Sequence, residues 1–125
     1  MDNLVSIITP SYNSSKFIEE CINSVISQTF QNWEMIIVDD CSNDNSREII
    51  SDFSEKDKRI RFIFLEENIG AAASRNIAIK KAKGRYIAFL DSDDLWIKDK
   101  LERQITFIND NEIAFSFTSY QPISE

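Results

Sequence analysis

Residues 86–94 read Tyr86-Ile87-Ala88-Phe89-Leu90-Asp91-Ser92-Asp93-Asp94, an apolar run followed by three carboxylates within four residues. The apolar half is typical of a strand buried in a sheet, so the carboxylates stand where that strand leaves the sheet. Unpaired carboxylates are costly to bury and repel one another at this spacing, and a bound Mg²⁺ or Mn²⁺ relieves both costs. Such a cation would also recruit phosphate groups. The alternative is an exposed acidic turn in which Asp94 caps the next helix.

The composition fits one compact domain covering residues 1–125, with 42% hydrophobic and 28% charged residues. The net charge is −7 and the pI is about 4.6, which is unfavourable for following a nucleic-acid backbone, so we expect no nucleic-acid partner. The chain has no histidine, which excludes histidine-based catalytic triads and histidine zinc sites. Any acid–base chemistry therefore falls to carboxylates.

The sequence predicts a reducing, cytoplasmic location. Cys21 and Cys41 form neither a disulfide framework nor a metal-binding pattern, and the chain start lacks the basic and apolar regions of a signal peptide. No apolar run approaches the roughly 20 residues that span a bilayer. Any membrane association of the full-length protein would be peripheral, at the inner face, or would come from parts outside these residues.

Strand-like apolar runs alternate with helical stripes along the chain. The predicted strands are 4–9, 34–38, 60–65, 86–90 and 113–120, with Pro10 closing the first. The predicted helices begin after Ser14 or Ser15 and then cover 46–53, 71–83 and 96–109. This order indicates right-handed βαβ units, and hence an α/β fold with a Rossmann-like, mostly parallel sheet flanked by helices.

Unusual polar residues follow three of these strands, at the edge where open α/β sheets bind ligands. The chain has only two glycines, so it contains neither a dinucleotide-binding glycine loop nor a Walker A loop. A phosphorylated ligand would then be held through a metal, helped by the helix start after Gly70 and by Arg75. The alternative for Arg75 is an ordinary surface position on a helix.

Four motifs follow one another along the chain. They are Val5-Ser6-Ile7-Ile8-Thr9-Pro10-Ser11-Tyr12-Asn13, Val38-Asp39-Asp40-Cys41-Ser42-Asn43-Asp44, Asn68-Ile69-Gly70 with Ala73-Ser74-Arg75-Asn76, and Asp91-Ser92-Asp93-Asp94 with Trp96. Together they resemble the N-terminal, nucleotide-sugar-binding part of the family 2 glycosyltransferases, which have the GT-A fold. The resemblance covers essentially the whole chain.

The resemblance implies roles on the nucleotide side of a site. The loop with Pro10, Tyr12 and Asn13 would contact the nucleotide, with Tyr12 near the base. Asp40 would accept a hydrogen bond from the uracil ring, whereas Asp39 would be structural. Arg75 would lie near the nucleotide.

It also implies a metal site for Mn²⁺ or Mg²⁺ at the D-x-D pair. Asp93 would be the more direct metal ligand, and Asp91 would lie closer to the ribose, with Ser92 also on the nucleotide. No catalytic residue is assigned, because the acceptor-side carboxylate base of this family lies well downstream and is expected beyond Glu125.

The activity implied for the full-length protein is an inverting, metal-dependent hexosyl transfer. The donor would be a nucleotide-diphosphate sugar, with a UDP-sugar expected, and the acceptor a glycan or lipid-linked hydroxyl in cell-surface polysaccharide synthesis. The ending 119–125 resembles an interrupted domain, which predicts the donor half of an active site. We expect this part to be inactive alone and to self-associate through exposed apolar surface.

Two alternatives remain open from the residues. A receiver-type signalling domain also joins an acidic cluster and Mg²⁺ to a small α/β sheet, but it needs a lysine at a later strand end. A nucleotide-sugar-binding module without transfer activity would carry the same donor loops. Sugar transfer separates the enzyme from the binding module, and phosphotransfer from a small phosphodonor would identify a receiver.

Overall fold

The computed structural model describes residues 3–110. Its elements are β1 (Val5–Ser11), α1 (Ile18–Ile26), β2 (Trp33–Asp39), α2 (Ser46–Lys56), β3 (Ile60–Phe64), α3 (Ala71–Lys81), β4 (Tyr86–Phe89) and α4 (Lys100–Asp110). The strands form a parallel sheet in the order β3-β2-β1-β4. All four described strands and the helices between them match the predicted alternation. The predicted strand at 113–120 lies outside the described residues.

Alternate residues of the central strands enter two separate cores. Val5 and Ile7 of β1 pack in a large cluster with residues of α1, α2 and α4, whereas Ile8 packs in a smaller cluster with Ala78 of α3. Burial on both faces explains why these strands read as continuous apolar runs rather than alternating ones. The predicted stripe of α1 is also confirmed, since Ile18, Cys21, Ile22 and Val25 are buried.

Pro10 does not close β1, and that prediction is wrong. The strand continues to Ser11, where it still pairs with β2. The pairing of β1 with β4 ends opposite Phe89, and the last bond on that side runs from Leu90 N to Ile8 O. Pro10 lies two residues after Ile8, so its backbone N points toward the β4 side of β1, but β4 has ended by this point. The missing N–H of Pro10 therefore removes no hydrogen bond from the sheet.

Two helix starts also differ from prediction. Neither Ser14 nor Ser15 caps α1, which begins at Ile18 with no side-chain cap. The last helix begins at Lys100 rather than at residue 96, which rules out Asp94 as its N-cap. Two side chains, one in α1 and one just after it, accept hydrogen bonds from backbone amides in residues 96–101. Ser24 Oγ accepts from Trp96 N at 3.2 Å, and Gln28 Oε1 accepts from Leu101 N at 3.0 Å.

A polar cluster fixes the amino ends of the strands. The buried Glu34 carboxylate accepts from Ser6 Oγ at 2.6 Å, Arg61 Nη1 at 2.7 Å and Lys83 N at 2.7 Å. Gly84 donates its N–H to Ser6 Oγ at 2.7 Å. These contacts link β1, β2 and β3 to the turn before β4, so they set where the acidic end of β4 emerges. No helix within residues 3–110 combines the length and apolar character that crossing a membrane requires.

Candidate functional site

A cavity of about 490 Å³ opens at the carboxyl edge of the sheet. Its lining comes from the end of β1, the loops that follow the four described strands, and the start of α3: Pro10, Ser11, Tyr12, Asn13, Ser14, Phe17, Asp40, Asn68, Gly70, Ala71, Ser74, Arg75, Asp91, Ser92 and Asp93. The convergence of separate loops on one edge is therefore confirmed. Every residue that the sequence assigns to a nucleotide or metal site lines this one cavity.

The acidic loop lies at the rim of the cavity. Asp91, Asp93 and Asp94 each offer a carboxylate oxygen, and these oxygens lie within 4.8 Å of one another. The loop is closed by a bond from Asp94 N to Asp91 O at 3.0 Å. All three residues are exposed, so the cost of the cluster is mutual repulsion rather than the burial that the sequence pattern suggests. Clustered, accessible carboxylates are the hard oxygen donors that suit Mg²⁺ or Mn²⁺.

The field of this cluster reaches the core beneath it. Burial, followed by the charges of Asp94, Asp93 and Asp91, raises the pKa of the Cys21 thiol to about 12. Cys21 Sγ also donates to Asp91 O at 3.6 Å. A thiol with so high a pKa stays protonated and is not a nucleophile.

Arg75 projects from α3 toward the acidic loop. Its Nη2 lies 3.3 Å from Asp91 Oδ1. The two side chains are 37% and 51% exposed, so solvent screens the pair and its contribution to stability is at most about 1 kcal/mol. The contact instead shows that the guanidinium reaches the cavity wall beside the carboxylates.

Asp40 has a structural task that the sequence does not reveal. Its carboxylate is 4% exposed, and it accepts from Ile69 N at 2.7 Å through Oδ1 and from Gly70 N at 2.8 Å through Oδ2. Gly70 is the N-cap of α3 and has a φ of 95°, which favours glycine. Asp40 thus ties the end of β2 to the start of the helix that carries Arg75, and each oxygen keeps a lone pair for a further donor.

Asp39 lies behind the cavity rather than in its lining. It is fully buried, pairs with Arg47 Nε at 2.9 Å, and accepts from Ser42 N at 3.0 Å and Ser42 Oγ at 2.6 Å. These bonds fix the turn after β2, which contains Cys41 with a φ of 63°. The geometry accords with the structural role expected for Asp39.

The loop after β1 presents the ring of Tyr12 to the cavity and bonds to the loop after β2 through Asn13. Tyr12 is 50% exposed at the cavity. Asn13, with a φ of 49°, accepts from Asn43 N at 2.8 Å through its side chain and donates its backbone N–H to Ser42 Oγ at 2.8 Å. Asn13 therefore lines the cavity while its side chain links two loops.

Several lining residues have no signal in the sequence pattern. Phe17 is 48% exposed at the cavity, although its place before a helical stripe resembles an ordinary helix start. Ser14 resembles a helix cap but is 5% exposed, and its Oγ lies 2.6 Å from Ser92 Oγ. Such contacts join residues far apart in sequence, so local pattern does not disclose them.

The fold and the cavity define an α/β protein whose open sheet edge carries an acidic, metal-compatible ligand site. The chain belongs to glycosyl transferase family 2, whose family model matches residues 6–124. This membership confirms the resemblance and excludes the receiver-domain alternative.

The relatives are named glycosyltransferases. The chain is 53% identical over 122 residues to a putative teichuronic acid biosynthesis glycosyltransferase, TuaG, of Bacillus subtilis, covering 98% of this chain and 48% of the relative. It is 50% identical over 123 residues to the Escherichia coli UDP-Glc:alpha-D-GlcNAc-diphosphoundecaprenol beta-1,3-glucosyltransferase WfgD, again covering 98% of this chain and 48% of the relative. The chain thus spans about half the length of these relatives.

Solved structures share the fold. S. aureus TarS 1-349 in complex with UDP-GlcNAc superposes with a TM-score of 0.81 at 37% identity, covering 86% of this chain and 32% of that one. The mannosyltransferase PcManGT from Pyrobaculum calidifontis, in complex with GDP-Man and Mn²⁺, gives a TM-score of 0.77 at 26% identity, covering 83% and 32%. The predicted GT-A type of parallel sheet flanked by helices is confirmed.

Proposed function

We propose that this chain forms the donor-binding part of an inverting, metal-dependent glycosyltransferase that uses a UDP-sugar. The observation that carries the proposal is the cavity of about 490 Å³ that Asp40, Arg75, Asp91 and Asp93 all line. Its volume falls within the range of about 300–1,000 Å³ that is typical of small-molecule sites. Complexes of similar proteins with UDP-GlcNAc and with GDP-Man and Mn²⁺ support a nucleotide-sugar donor.

Asp93 and Asp91 would hold the Mn²⁺ or Mg²⁺ of the proposed site. The donor set fits, because both side chains are accessible carboxylates whose oxygens converge. When bound, the cation supplies positive charge that stabilises the diphosphate leaving group. The acidic rim otherwise repels a diphosphate, so the proposal requires donor binding to depend on the metal.

The other lining residues would bind and orient the nucleotide. Arg75 lies beside Asp91 and adds positive charge where the phosphates would enter. Asp40 has free lone pairs to accept the uracil N3–H while it holds the start of α3. The exposed ring of Tyr12 offers a face on which a base can stack. Pro10, Asn13 and Ser92 complete the nucleotide wall.

The general base that activates the acceptor belongs, in this proposal, to the half of the relatives that the chain does not span. The described carboxylates in the cavity already have other tasks, since Asp40 holds two amides and the acidic loop serves the metal. The 125-residue chain would therefore bind the donor and transfer no sugar. On its own it would act as a nucleotide-sugar-binding module.

The acceptor would be a glycan or a lipid-linked sugar of the cell surface. The names of TuaG and WfgD, which refer to teichuronic acid synthesis and to a diphosphoundecaprenol acceptor, support this class. A lipid-linked acceptor would place the whole protein in the cytoplasm, peripherally at the inner face of the membrane.

Self-association is a further part of the proposal. Leu95, Ile97 and Phe107 are 61%, 63% and 56% exposed, and they line a second cavity of about 650 Å³ beside the acidic loop. A second copy of the chain can cover this apolar surface.

Calorimetry of UDP binding tests the proposal. UDP should bind in Mn²⁺ or Mg²⁺ and show little binding when a chelator replaces the metal. Asp93→Asn should remove most of the metal-dependent affinity without unfolding the protein, because the residue is exposed. Asp52→Asn, the same change at an exposed position on α2, is the matched control and should leave binding intact. Equal UDP affinity with metal and with chelator would contradict the proposal.

A further inference from the structure

Ser14 lies where three loops of the cavity meet. Its side chain is almost fully buried, with 5% of the residue exposed, and its Oγ lies 2.6 Å from Ser92 Oγ. Either hydroxyl can donate in this pair. Ser92 stands between Asp91 and Asp93, so this hydroxyl pair reaches the acidic loop from beneath.

The rest of Ser14 is held from several sides. Its backbone N–H donates to Ser46 Oγ at 2.9 Å, and Ser46 Oγ in turn donates to Asp44 Oδ1 at 2.6 Å. Its carbonyl accepts from Phe17 N and Ile18 N, each at 2.8 Å. Ser14 is therefore a fixed point, attached to the start of α2 and to the turn that leads into α1.

The hydroxyl also connects to the end of β2. Ser11 Oγ lies 3.3 Å from Ser14 Oγ and 3.4 Å from Asp39 Oδ1. A line of polar groups thus runs from the buried Asp39 through Ser11 and Ser14 to Ser92, and the three serines line the cavity. Asp39 is itself anchored by Arg47.

Repulsion between the carboxylates of the acidic loop would spread them apart unless the loop is anchored. Its three carboxylates lie within 4.8 Å of one another and repel, which favours a loop that spreads them apart. The Ser14–Ser92 bond opposes that spreading, because it attaches the middle of the Asp-Ser-Asp segment to a rigid part of the fold. Outer groups that orient ligands in this way typically change metal affinity by about 10–100-fold.

We propose that Ser14 is a positioning residue for the metal site, whose hydroxyl holds Ser92 and thereby keeps Asp91 and Asp93 converged. The inference rests on the proposed function, since it assigns these carboxylates to a metal. Ser14 is not itself one of the proposed metal ligands and acts on them through Ser92, while its hydroxyl also contacts Ser11 and the backbone of Tyr12.

The test compares Ser14→Ala with the parent chain by two measurements. The first is hydrogen exchange at the Asp94 amide, whose bond to Asp91 O closes the acidic loop, in the absence of any ligand. The second is the dissociation constant for Mn²⁺ alone. Ser14→Ala should speed exchange at Asp94 and raise the Mn²⁺ dissociation constant by about tenfold or more.

Two further variants separate positioning from general destabilisation. Ser54→Ala removes a hydroxyl that donates to Ile60 O at 2.7 Å, away from the cavity, and should leave both measurements unchanged. Ser92→Ala breaks the same bond from the other side and serves if Ser14→Ala does not fold. In the Ser92→Ala background, the Ser14→Ala change should add nothing, because its effect passes through Ser92.

Each outcome bears on one claim. Unchanged Asp94 exchange in both single variants would overturn the positioning role, whether or not the chain binds Mn²⁺. Faster exchange with an unchanged Mn²⁺ dissociation constant would also overturn it. A parent chain that binds no Mn²⁺ would instead contradict the proposed function, and exchange at Asp94 would still decide whether Ser14 holds the loop.

Discussion

Replacing Asp40 with asparagine turns one oxygen of a buried carboxylate into an amide nitrogen where β2 meets the start of α3. The parent carboxylate accepts from Ile69 N at 2.7 Å and from Gly70 N at 2.8 Å. Asparagine keeps one acceptor oxygen, so one of these two N–H groups would face another donor. The shape of the side chain is otherwise preserved, which confines the change to charge and hydrogen bonding.

The expected loss of stability follows from those two bonds. A hydrogen bond to a charged group contributes about 1.5–3 kcal/mol, and an unsatisfied buried donor costs about 1–3 kcal/mol. The bonds to Ile69 N and Gly70 N are only partly buried, so the lower part of these ranges applies. We expect Asp40→Asn to lower the free energy of unfolding by about 2 kcal/mol.

The variant should also alter nucleotide preference. A carboxylate accepts the uracil N3–H, whereas cytosine has no proton at that position. Asp40→Asn and Asp40→Ala should therefore lose more UDP affinity than CDP affinity, on the order of 1–3 kcal/mol. Equal losses for both nucleotides would mean that Asp40 acts only by holding α3.

Urea unfolding followed by tryptophan fluorescence gives the stability, and calorimetry in Mn²⁺ gives the two affinities. Asp52→Asn on α2 makes the same change of charge at an exposed position and should differ little from the parent. An Asp40→Asn protein with parental stability and a parental ratio of UDP to CDP affinity would refute both roles assigned to Asp40.

Further predictions concern other parts of the chain. Arg75→Ala should weaken UDP binding in Mn²⁺ by roughly tenfold, and Arg75→Lys should restore only part of it, because lysine lacks the planar fork; calorimetry measures both. Gly84→Ala should cost about 1–3 kcal/mol in urea unfolding, since a Cβ there would lie 2.6 Å from Ser6 Oγ and 2.7 Å from Leu4 O. Burial acts to raise the pKa of Asp44, but hydrogen bonds from Ser46 and Ser15 outweigh it and lower that pKa from 3.8 to about 2. Asp44 therefore stabilises the fold above pH 3.8 and loses this contribution as the pH falls toward 2, so Asp44→Asn should flatten the acid-unfolding curve in that window. Ile97→Ser should reduce the sedimentation-measured self-association of the chain, while an identical distribution of species in both proteins would count against the apolar surface. The 125-residue chain should show no transfer of radiolabelled sugar even where it binds UDP, and turnover would place the base among its own carboxylates, with Asp94 the first to test.

The sheet could be predicted from the sequence because its strands are buried on both faces. Runs such as Met35 to Val38 are apolar at every position, and no helical stripe has that form. The end of β1 could not be predicted from Pro10. The missing N–H of a proline matters only where a neighbouring strand pairs with it, and β4 ends before it reaches Pro10. The start of α4 depends on amides bound by Ser24 and Gln28, which lie about 70 residues earlier in the chain.

The lining of the cavity could be predicted only in part. Asp91, Asp93 and Asp40 follow strands directly, and topology alone brings such residues to one edge. The bonds of Asp40 to Ile69 and Gly70, and of Ser14 to Ser92, span 29, 30 and 78 positions. Contacts of this kind depend on how loops fold across one another, which neither periodicity nor motif spacing records.

Paramagnetic broadening of backbone amides by Mn²⁺ in the presence of UDP tests the central claim most directly, because it locates the metal and the nucleotide on the fold. The account predicts that broadening centres on Asp91, Ser92 and Asp93 and extends to Gly70. Asp57, which precedes the amino end of β3 at the opposite edge of the sheet, should be unaffected. Asp93→Asn should abolish this pattern and Asp52→Asn should preserve it. Broadening centred elsewhere, or an unchanged pattern in Asp93→Asn, would contradict the account.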